Sequence, residues 1–464
     1  MIPRERTAAL GRIRSGAQES GDSLVWGDKE EPTRLAAKRT AMHDTLPASL
    51  KFRVARGLSV PLGGAPEQVI HEAATTSSVA LVFDDYIGLR PELLVEAGDR
   101  VRAGHPLLRS RTRPDMLLTA PGSGRVSSIE RGSRRALRAL VIELDGAAPV
   151  EFERTERGEL PRLEPETARR RLLESGLWTA LRERPYGSLA DPHSRPRAVF
   201  VTAIDTDPLA ADPAVVLADH ADDFADGLQV LMRLCRVPLY LCRAAGSAVP
   251  GGDLEGVTVA EFSGPHPAGL PGTHMQRIAP VGRGFVHWYV GYQDVAAIGR
   301  LFTGGVLHLE RVIALAGSQV ARPRLVRTRL GANIDDLLRE ELLPGACRAI
   351  SGSALSGREA AGWGRHLGRH HRAITVLAAR DTALHGRGGP QLPVEAFERV
   401  GPQGMLITPL LRALMLRDLE ASEALGCLEL VEEDLALCSY VCPGKHDYGF
   451  HLRSVLDELR SRDA

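Results

Sequence analysis

The stretch LLESGLWTALRERPYGSLADPHSRPRAVFVTAIDTD, residues Leu172 to Asp207, decides the fold. Leu172, Leu173, Leu177 and Leu181 carry a helical pattern into a loop broken by proline and glycine. The run Ala198–Ile204 (AVFVTAI) follows and ends on Asp205. A short, β-branched apolar run between turn residues marks a strand buried on both faces of a parallel sheet. Ligands of open α/β sheets sit beyond the carboxyl ends of such strands, so a nucleotide would bind here. Yet the neighbouring loops carry neither a G-x-G-x-x-G nor a P-loop. The expectation is a nucleotide-enzyme scaffold that holds no nucleotide.

Downstream the pattern repeats. An amphipathic helix runs through Val215, Val216, Leu217, Ala221, Phe224, Leu228, Val230, Leu231 and Leu234. Val237–Cys242, Val257–Phe262 and Phe285–Val290 read as further strands, and Gln293–Phe302 as a helix. Strand, helix, strand at this spacing is the βαβ signal of a Rossmann-like α/β domain, assigned to residues 151–305. Its start, 151–171, is a charged linker that opens a helix near Glu166 or Thr167.

Upstream, Leu93–Leu108 (LLVEAGDRVRAGHPLL) and Leu117–Val126 (LLTAPGSGRV) pair glycine turns with short strands. The spacing resembles the biotinyl/lipoyl β-sandwich, assigned to 52–150. Carriers of that kind hold biotin or lipoate on a lysine at a hairpin tip. Here the tip is Arg109–Met116 (RSRTRPDM), without lysine, so a docking barrel is expected and a carrier role is not. Residues 1–51 are polar and arginine-rich and are expected to form a disordered extension, with order starting near Phe52.

After residue 306 the character changes. Arg311–Ala316 and Arg324–Leu330 read as strands, Ile334–Leu342 as a short helix and Ile350–Gly357 as a closing strand and turn. These fit a small β-grasp (SLBB-like) unit over 306–380. Leucine spacing from Leu410 to Leu459 gives a helical C-terminal domain over 381–464.

The chain has 464 residues and no net charge, which removes a general pull toward nucleic acid. No apolar run reaches the roughly 18–20 residues of a membrane span, and no secretory leader is visible. Six irregularly spaced cysteines suit reduced thiols.

The candidate chemistry is sparse. Cys427, Cys438 and Cys442 leave a C-x3-C-P remnant of a ferredoxin motif, short of the four ligands a cluster needs, so buried structural thiols are expected. His266 and His274 stand in GPHPAGLPGTH, a rigid glycine- and proline-rich loop. His266, Gly269 and His274 are the candidate quinone-binding or docking loop. Asp205, Asp207 and Asp212 read as turn and helix caps, and Glu432, Glu433 and Asp434 as a capping cluster. Arg365, Arg369, His370 and His371 read as a basic helix with a solvated face. No catalytic residue and no metal ligand is assigned.

Several stretches together carry a resemblance: Gly57–Ile70, ESGLWTALRERPYG, DTDPLAADP, FSGPHPAGLPGTH, YQDVAAIGRLF, ERVIALAGSQVARPRLVRT and ALGCLELVEEDLALCSYVCPGK. Over about 52–464 the chain resembles the A subunits of Na+-translocating NADH:quinone oxidoreductases. Residues 1–51 have no counterpart there, and Arg380–Pro393 is shorter than usual. The resemblance implies a peripheral subunit on the cytoplasmic face of the bacterial inner membrane. Its implied partners are the pump's five other subunits, chiefly the membrane-embedded B subunit, with ubiquinone a candidate ligand. The complex passes electrons from NADH to ubiquinone while exporting Na+. Its flavins and Fe–S centres belong to other subunits, and no cofactor is expected on this one. Relatives in complex I hold flavin in a glycine-rich loop; here Trp178 and Arg182 stand where glycines would let backbone amides reach phosphate. The alternative is an autonomous flavin- or NADH-binding oxidoreductase on the α/β domain.

Overall fold

The computed structural model describes residues 49–379 and 395–463. The bulk of the N-terminal extension and the short segment Arg380–Pro393 lie outside them. In chain order, β1 (Ser49–Arg53) and β2 (Glu67–Glu72) precede a β-rich region. That region holds β3 (Ser78–Val82), β4 (Pro91–Leu93), β5 (Arg100–Val101), β6 (Pro106–Ser110), β7 (Leu117–Thr119), β8 (Gly124–Arg131) and β9 (Leu137–Leu144). They form a four-stranded sheet, β3-β9-β8-β5, and a three-stranded sheet, β4-β6-β7. Leu81, Leu107, Leu108, Val126 and Ile142 fill the space between them. Gly124 is required where β8 meets β9, since a Cβ there would lie 1.8 Å from the Glu143 carbonyl oxygen. At the β6–β7 tip, Arg109 is held by Glu92 at 2.8 Å.

The α/β region continues with α1 (Pro165–Glu174), β10 (Arg182–Arg184), β11 (Val199–Ala203), α2 (Pro213–Leu217), α3 (Ala221–Cys235) and β12 (Leu239–Ala244). It ends with β13 (Val257–Ser263), α4 (Pro271–Ile278), β14 (His287–Gly291) and α5 (Tyr292–Gly304). The sheet order is β1-β13-β12-β11-β14-β10. Every pairing in it is parallel except β10 with β14. All five residues of β11 are buried, as a central strand covered on both faces must be. Val199 and Val201 point into the core shared with α3 and α5, while Phe200 joins Tyr240, Phe262 and Met275 of α4 on the opposite face.

Asp212 caps α2 by accepting the Ala214 amide, and Gly305, at φ 70°, closes α5. Helices α3 and α5 touch backbone to backbone. A Cβ on Gly227 would sit 1.9 Å from the Val295 carbonyl oxygen, and one on Gly299 would sit 1.8 Å from that of Asp223.

Order begins ahead of Phe52. β1 starts at Ser49 and pairs with β13 from Ser49↔Val259 onward, so the last residues assigned to the extension close a sheet edge. The helix read as continuous through Val215–Leu234 breaks after Leu217 and restarts at Ala221.

A second six-stranded sheet contains β15 (Glu310–Ala316), β16 (Arg324–Arg329), β17 (Cys347–Ser351), β18 (Arg358–Glu359) and β19 (Ala373–Ala378). Its order is β18-β17-β19-β15-β16-β2. Helix α6 (Ile334–Leu337) covers its core of Ile313, Val326, Ile374 and Val376. This helix is shorter than the one read over Ile334–Leu342, and Glu340 beyond it is left-handed at φ 62°.

The C-terminal region is helical: α7 (Glu395–Val400), α8 (Ile407–Leu416), α9 (Leu419–Ala424), α10 (Ala436–Val441) and α11 (Tyr448–Asp463). Leu410, Leu414, Leu452 and Leu456 form its core together with the fully buried Cys427, Cys438 and Cys442. Among the described residues no helix is long and apolar enough to cross a membrane.

Candidate functional site

In the α/β sheet the chain runs from β11 outward to β12 and β13, then returns to the other side of β11 with β14. The crevice between the carboxyl ends of β11 and β14 is therefore the topological switch point, where such sheets bind ligands. Asp205, Thr206 and Asp207 leave β11 at that crevice, and Tyr292 leaves β14. Arg372, from the approach to β19, reaches into it. Its Nε donates to Asp205 Oδ2 at 3.0 Å, its Nη2 lies 2.9 Å from the same oxygen, and its guanidinium lies 5.5 Å from the Tyr292 ring centre. The other Asp205 oxygen accepts the Asp207 amide at 3.0 Å. The Asp207 carboxyl is pushed up to about 7 by burial and by Asp205 alongside it, while Arg372 pulls the other way. Since 23% of its side chain reaches solvent, the burial penalty is only partial.

The three candidate loop residues are not solvent-facing. His266 is 3% exposed, with Nδ1 3.3 Å from Thr206 Oγ1 and 3.8 Å from the Asp207 carboxylate. Burial holds its pKa below the ordinary imidazole value. Gly269 donates its amide to Thr206 Oγ1 at 2.8 Å. A Cβ on Gly269 would lie 2.7 Å from the Thr206 backbone nitrogen. His274 lies on α4, beyond the loop, and is fully buried against Phe262 at 4.4 Å between ring centres. Its Nε2 donates to the Ala268 carbonyl at 3.0 Å, and burial pushes it down to about 3. Both histidines thus brace the loop from inside as neutral rings.

The outer side of the same loop faces a narrow cleft whose interior has room for about one water molecule. Pro267, Gly272, Thr273, Met405, Leu430 and Asp434 are among the residues that line it. Asp434 is tied to the fully buried Arg184, whose Nη1 donates to Asp434 Oδ2 at 2.6 Å and to the Glu429 carbonyl at 2.8 Å. Asp434 also accepts the Val431 amide at 2.8 Å, as the capping cluster predicts. The cleft therefore lies on the seam between the α/β and helical regions.

Where a phosphate cradle would lie, Gly176 turns left-handed at φ 75° and side chains follow. Trp178 is fully buried, edge-on to Trp288 at 5.4 Å, with its indole N–H on the Ala190 carbonyl at 2.8 Å. Arg182 stacks on Tyr289 at 4.6 Å.

The basic segment at Arg365–His371 corrects the sequence reading. It is not helical, and His366 and Arg369 are buried. Arg369 pairs with Asp294 of α5 at 2.9 Å, beside Arg311 at 2.7 Å, and His371 Nδ1 lies 2.8 Å from Ser351 Oγ. Arg184 and Arg372 were not singled out from the sequence. The usable signal was their position: each lies in a dense basic run touching a strand that must be buried, where a charge needs a partner.

Fold and site define a multidomain α/β protein with an N-terminal barrel-sandwich domain and a parallel sheet whose switch point holds the Arg372–Asp205 pair. Residues 52–145 match the NqrA N-terminal barrel-sandwich hybrid domain, 163–307 the NqrA second alpha/beta domain and 312–362 the NQRA C-terminal domain. The chain is 48% identical over 442 residues to the A subunit of the Na(+)-translocating NADH-quinone reductase of Pseudomonas aeruginosa, covering 88% of this chain and 99% of that one. The same-named proteins of Yersinia pestis and Neisseria gonorrhoeae are 44% and 42% identical over the same shares. The chain belongs to the family of Na+-translocating NADH-quinone reductase A subunits.

Proposed function

We propose that this chain is the A subunit of a Na+-translocating NADH:quinone reductase. It supports electron transfer from NADH to ubiquinone, coupled to Na+ export, with no redox cofactor of its own. The observation that carries the reading is the 48% identity spanning 99% of a relative with that name. The chain sits at the cytoplasmic face of the bacterial inner membrane, docked chiefly on the membrane-embedded B subunit. The four parallel strands and their crossover helices support a Rossmann-like domain over 151–305. The mixed sheet around β15 supports a β-grasp unit over 306–380, beside a sandwich over 52–150 and a helical domain over 381–464. Strands β1 and β2 pair across those limits.

Two features favour a cofactor-free subunit. Trp178 fills the turn after α1, and Arg372 fills the switch point. A quinone headgroup or a docking segment engages the outer side of the loop beside Gly272 and Thr273, opening a narrow cleft lined by apolar side chains and a few polar groups. His266, Gly269 and His274 hold its wall in shape.

Membranes lacking this chain are expected to lose Na+-dependent NADH:quinone reductase activity and regain it when the chain is restored. Retained activity would refute the assignment. The purified chain is expected to be colourless; a stoichiometric flavin spectrum, or micromolar NADH binding, would favour an autonomous oxidoreductase instead. Alanine substitutions at His266 and His274, read separately as quinone affinity and as assembly with the B subunit, distinguish binding from docking.

A further inference from the structure

His220, His308 and Glu310 each place a ligand atom within 4.8 Å of the others. All three line one narrow cleft, with Gln293 and Val312 beside them. His220 comes from one piece of chain, and His308 and Glu310 from another, as an H-x-E pair. His220 sits at the break between α2 and α3, outside helical geometry at φ −125°. His308 lies in the link from α5 to β15, and Glu310 opens β15. We propose that this triad binds one divalent transition-metal ion of the zinc class.

His220 Nε2 lies 3.6 Å from Glu310 Oε1. Two ligands at zinc-type bond lengths of about 2.0 Å on a tetrahedron stand roughly 3.3 Å apart, so a small adjustment closes the site. The other nitrogen of the same ring, Nδ1, lies 3.8 Å from Asp223 Oδ2. A carboxylate behind a ligating imidazole is the usual device that fixes its tautomer and orientation. The His308 ring stands 5.0 Å from that of His220 at 62°. Two imidazoles and one carboxylate suit zinc, cobalt or nickel, whereas calcium and magnesium prefer all-oxygen shells. The open cleft leaves a fourth position to water.

Glu310 is also held by Arg327 at 3.3 Å, but that guanidinium has Glu72 at 3.3 Å and Asp219 at 3.4 Å as further partners. Glu310 can therefore turn to a metal without stranding Arg327. The apolar periodicity of Val215–Leu234 would run through the break as one helix. The interruption carries His220 toward Glu310, and an ion there would pin the α/β region to β15 of the second sheet. His220 stands far along the chain from the other two, and the H-x-E pair alone is no metal signature.

The test uses the full chain, stripped of metal and titrated with Co2+ and Zn2+. The expected result is one tight equivalent, tetrahedral visible bands for Co2+ and a raised melting temperature with Zn2+. His220→Gln and Glu310→Gln are expected to abolish the bands, and Asp223→Asn to weaken binding by about 10–100-fold. Metal-free melts of each variant, compared with the metal-free parent, control for folding. Should either ligand variant fail to fold, Asp223→Asn decides by the same titration. Absence of the bands in the parent chain, or unchanged affinity in Asp223→Asn and whichever ligand variants fold, overturns the proposal.

Discussion

Replacing Arg184 by methionine isolates the tie beneath the cleft. The guanidinium is fully buried and gives two short bonds, to Asp434 and to the Glu429 carbonyl. Its loss leaves Asp434, 7% exposed, with the Val431 amide and the like charge of Glu433 nearby. Removing one member of a buried pair costs about 3–5 kcal/mol, because the other cannot be resolvated. The Asp434 carboxyl is already raised by burial even with Arg184 in place. In the variant it rises further, and protonation becomes its cheapest escape. An acid whose folded pKa lies above its unfolded value costs stability as pH rises between the two, so Arg184→Met should be hurt more at pH 8 than at pH 5. Asp434→Asn keeps an acceptor for the Val431 amide and leaves Arg184 with Glu429 and, at 3.6 Å, Glu433. About 1–3 kcal/mol is expected for it. The double variant should lie above the sum of the two, with a coupling of about 1–3 kcal/mol. A multidomain chain has no single unfolding free energy, so melting curves at both pH values are read alongside limited proteolysis of the helical region. An unchanged melt for Arg184→Met, or strict additivity in the double variant, would refute the reasoning.

Asp207→Asn removes the carboxyl whose folded pKa is raised to about 7, a group that lowers stability as pH rises from about 4 to 7. The variant should melt above the parent at pH 8 and level with it at pH 4; equal melts at pH 8 would contradict this. Gly299→Ala drives a methyl into the Asp223 carbonyl and should cost about 1–3 kcal/mol or more, read as a lower melting temperature. Trp178→Ala opens a buried cavity and should cost about 3–5 kcal/mol without creating flavin binding in a fluorescence titration. Burial pushes the Cys427 and Cys438 thiols up to about 12, and Cys442 is fully buried. A thiol reagent at pH 8 should therefore spare all three until denaturant is added; rapid reaction of all six cysteines would be inconsistent with the described core.

The parallel sheet was legible because β11 is a short, buried run rich in β-branched residues and the helices after it keep a 3.6-residue period. The sandwich was legible through its glycine turns. What periodicity could not give was partnership across long separations. β1 closes an α/β edge some two hundred residues ahead in the chain, and β2 joins the sheet of β15. The segment Arg365–His371 has the composition of a solvated face, yet Asp294, Asp85 and Ser351 wait for it. A charge is buried or exposed according to its partner, and a single sequence does not pair an arginine with an aspartate 75 residues away. His266 and His274 were visible as residues of a rigid loop. Their inward direction was not, because it depends on Thr206 and Ala268.

The switch-point crevice follows the same logic. A phosphate cradle needs backbone amides free to point outward, and hence residues without side chains in the way. Here Arg372 bonds Asp205 at that place, and Trp178 packs against Trp288. Buried ion pairs contribute little net stability once desolvation is counted, so the Arg372–Asp205 and Arg184–Asp434 pairs are better understood as fixing geometry. One joins the approach to β19 to the end of β11, and the other joins β10 to the helical region. Both pairs tie separate regions of the chain together at loops beside the sheet's switch point and the cleft.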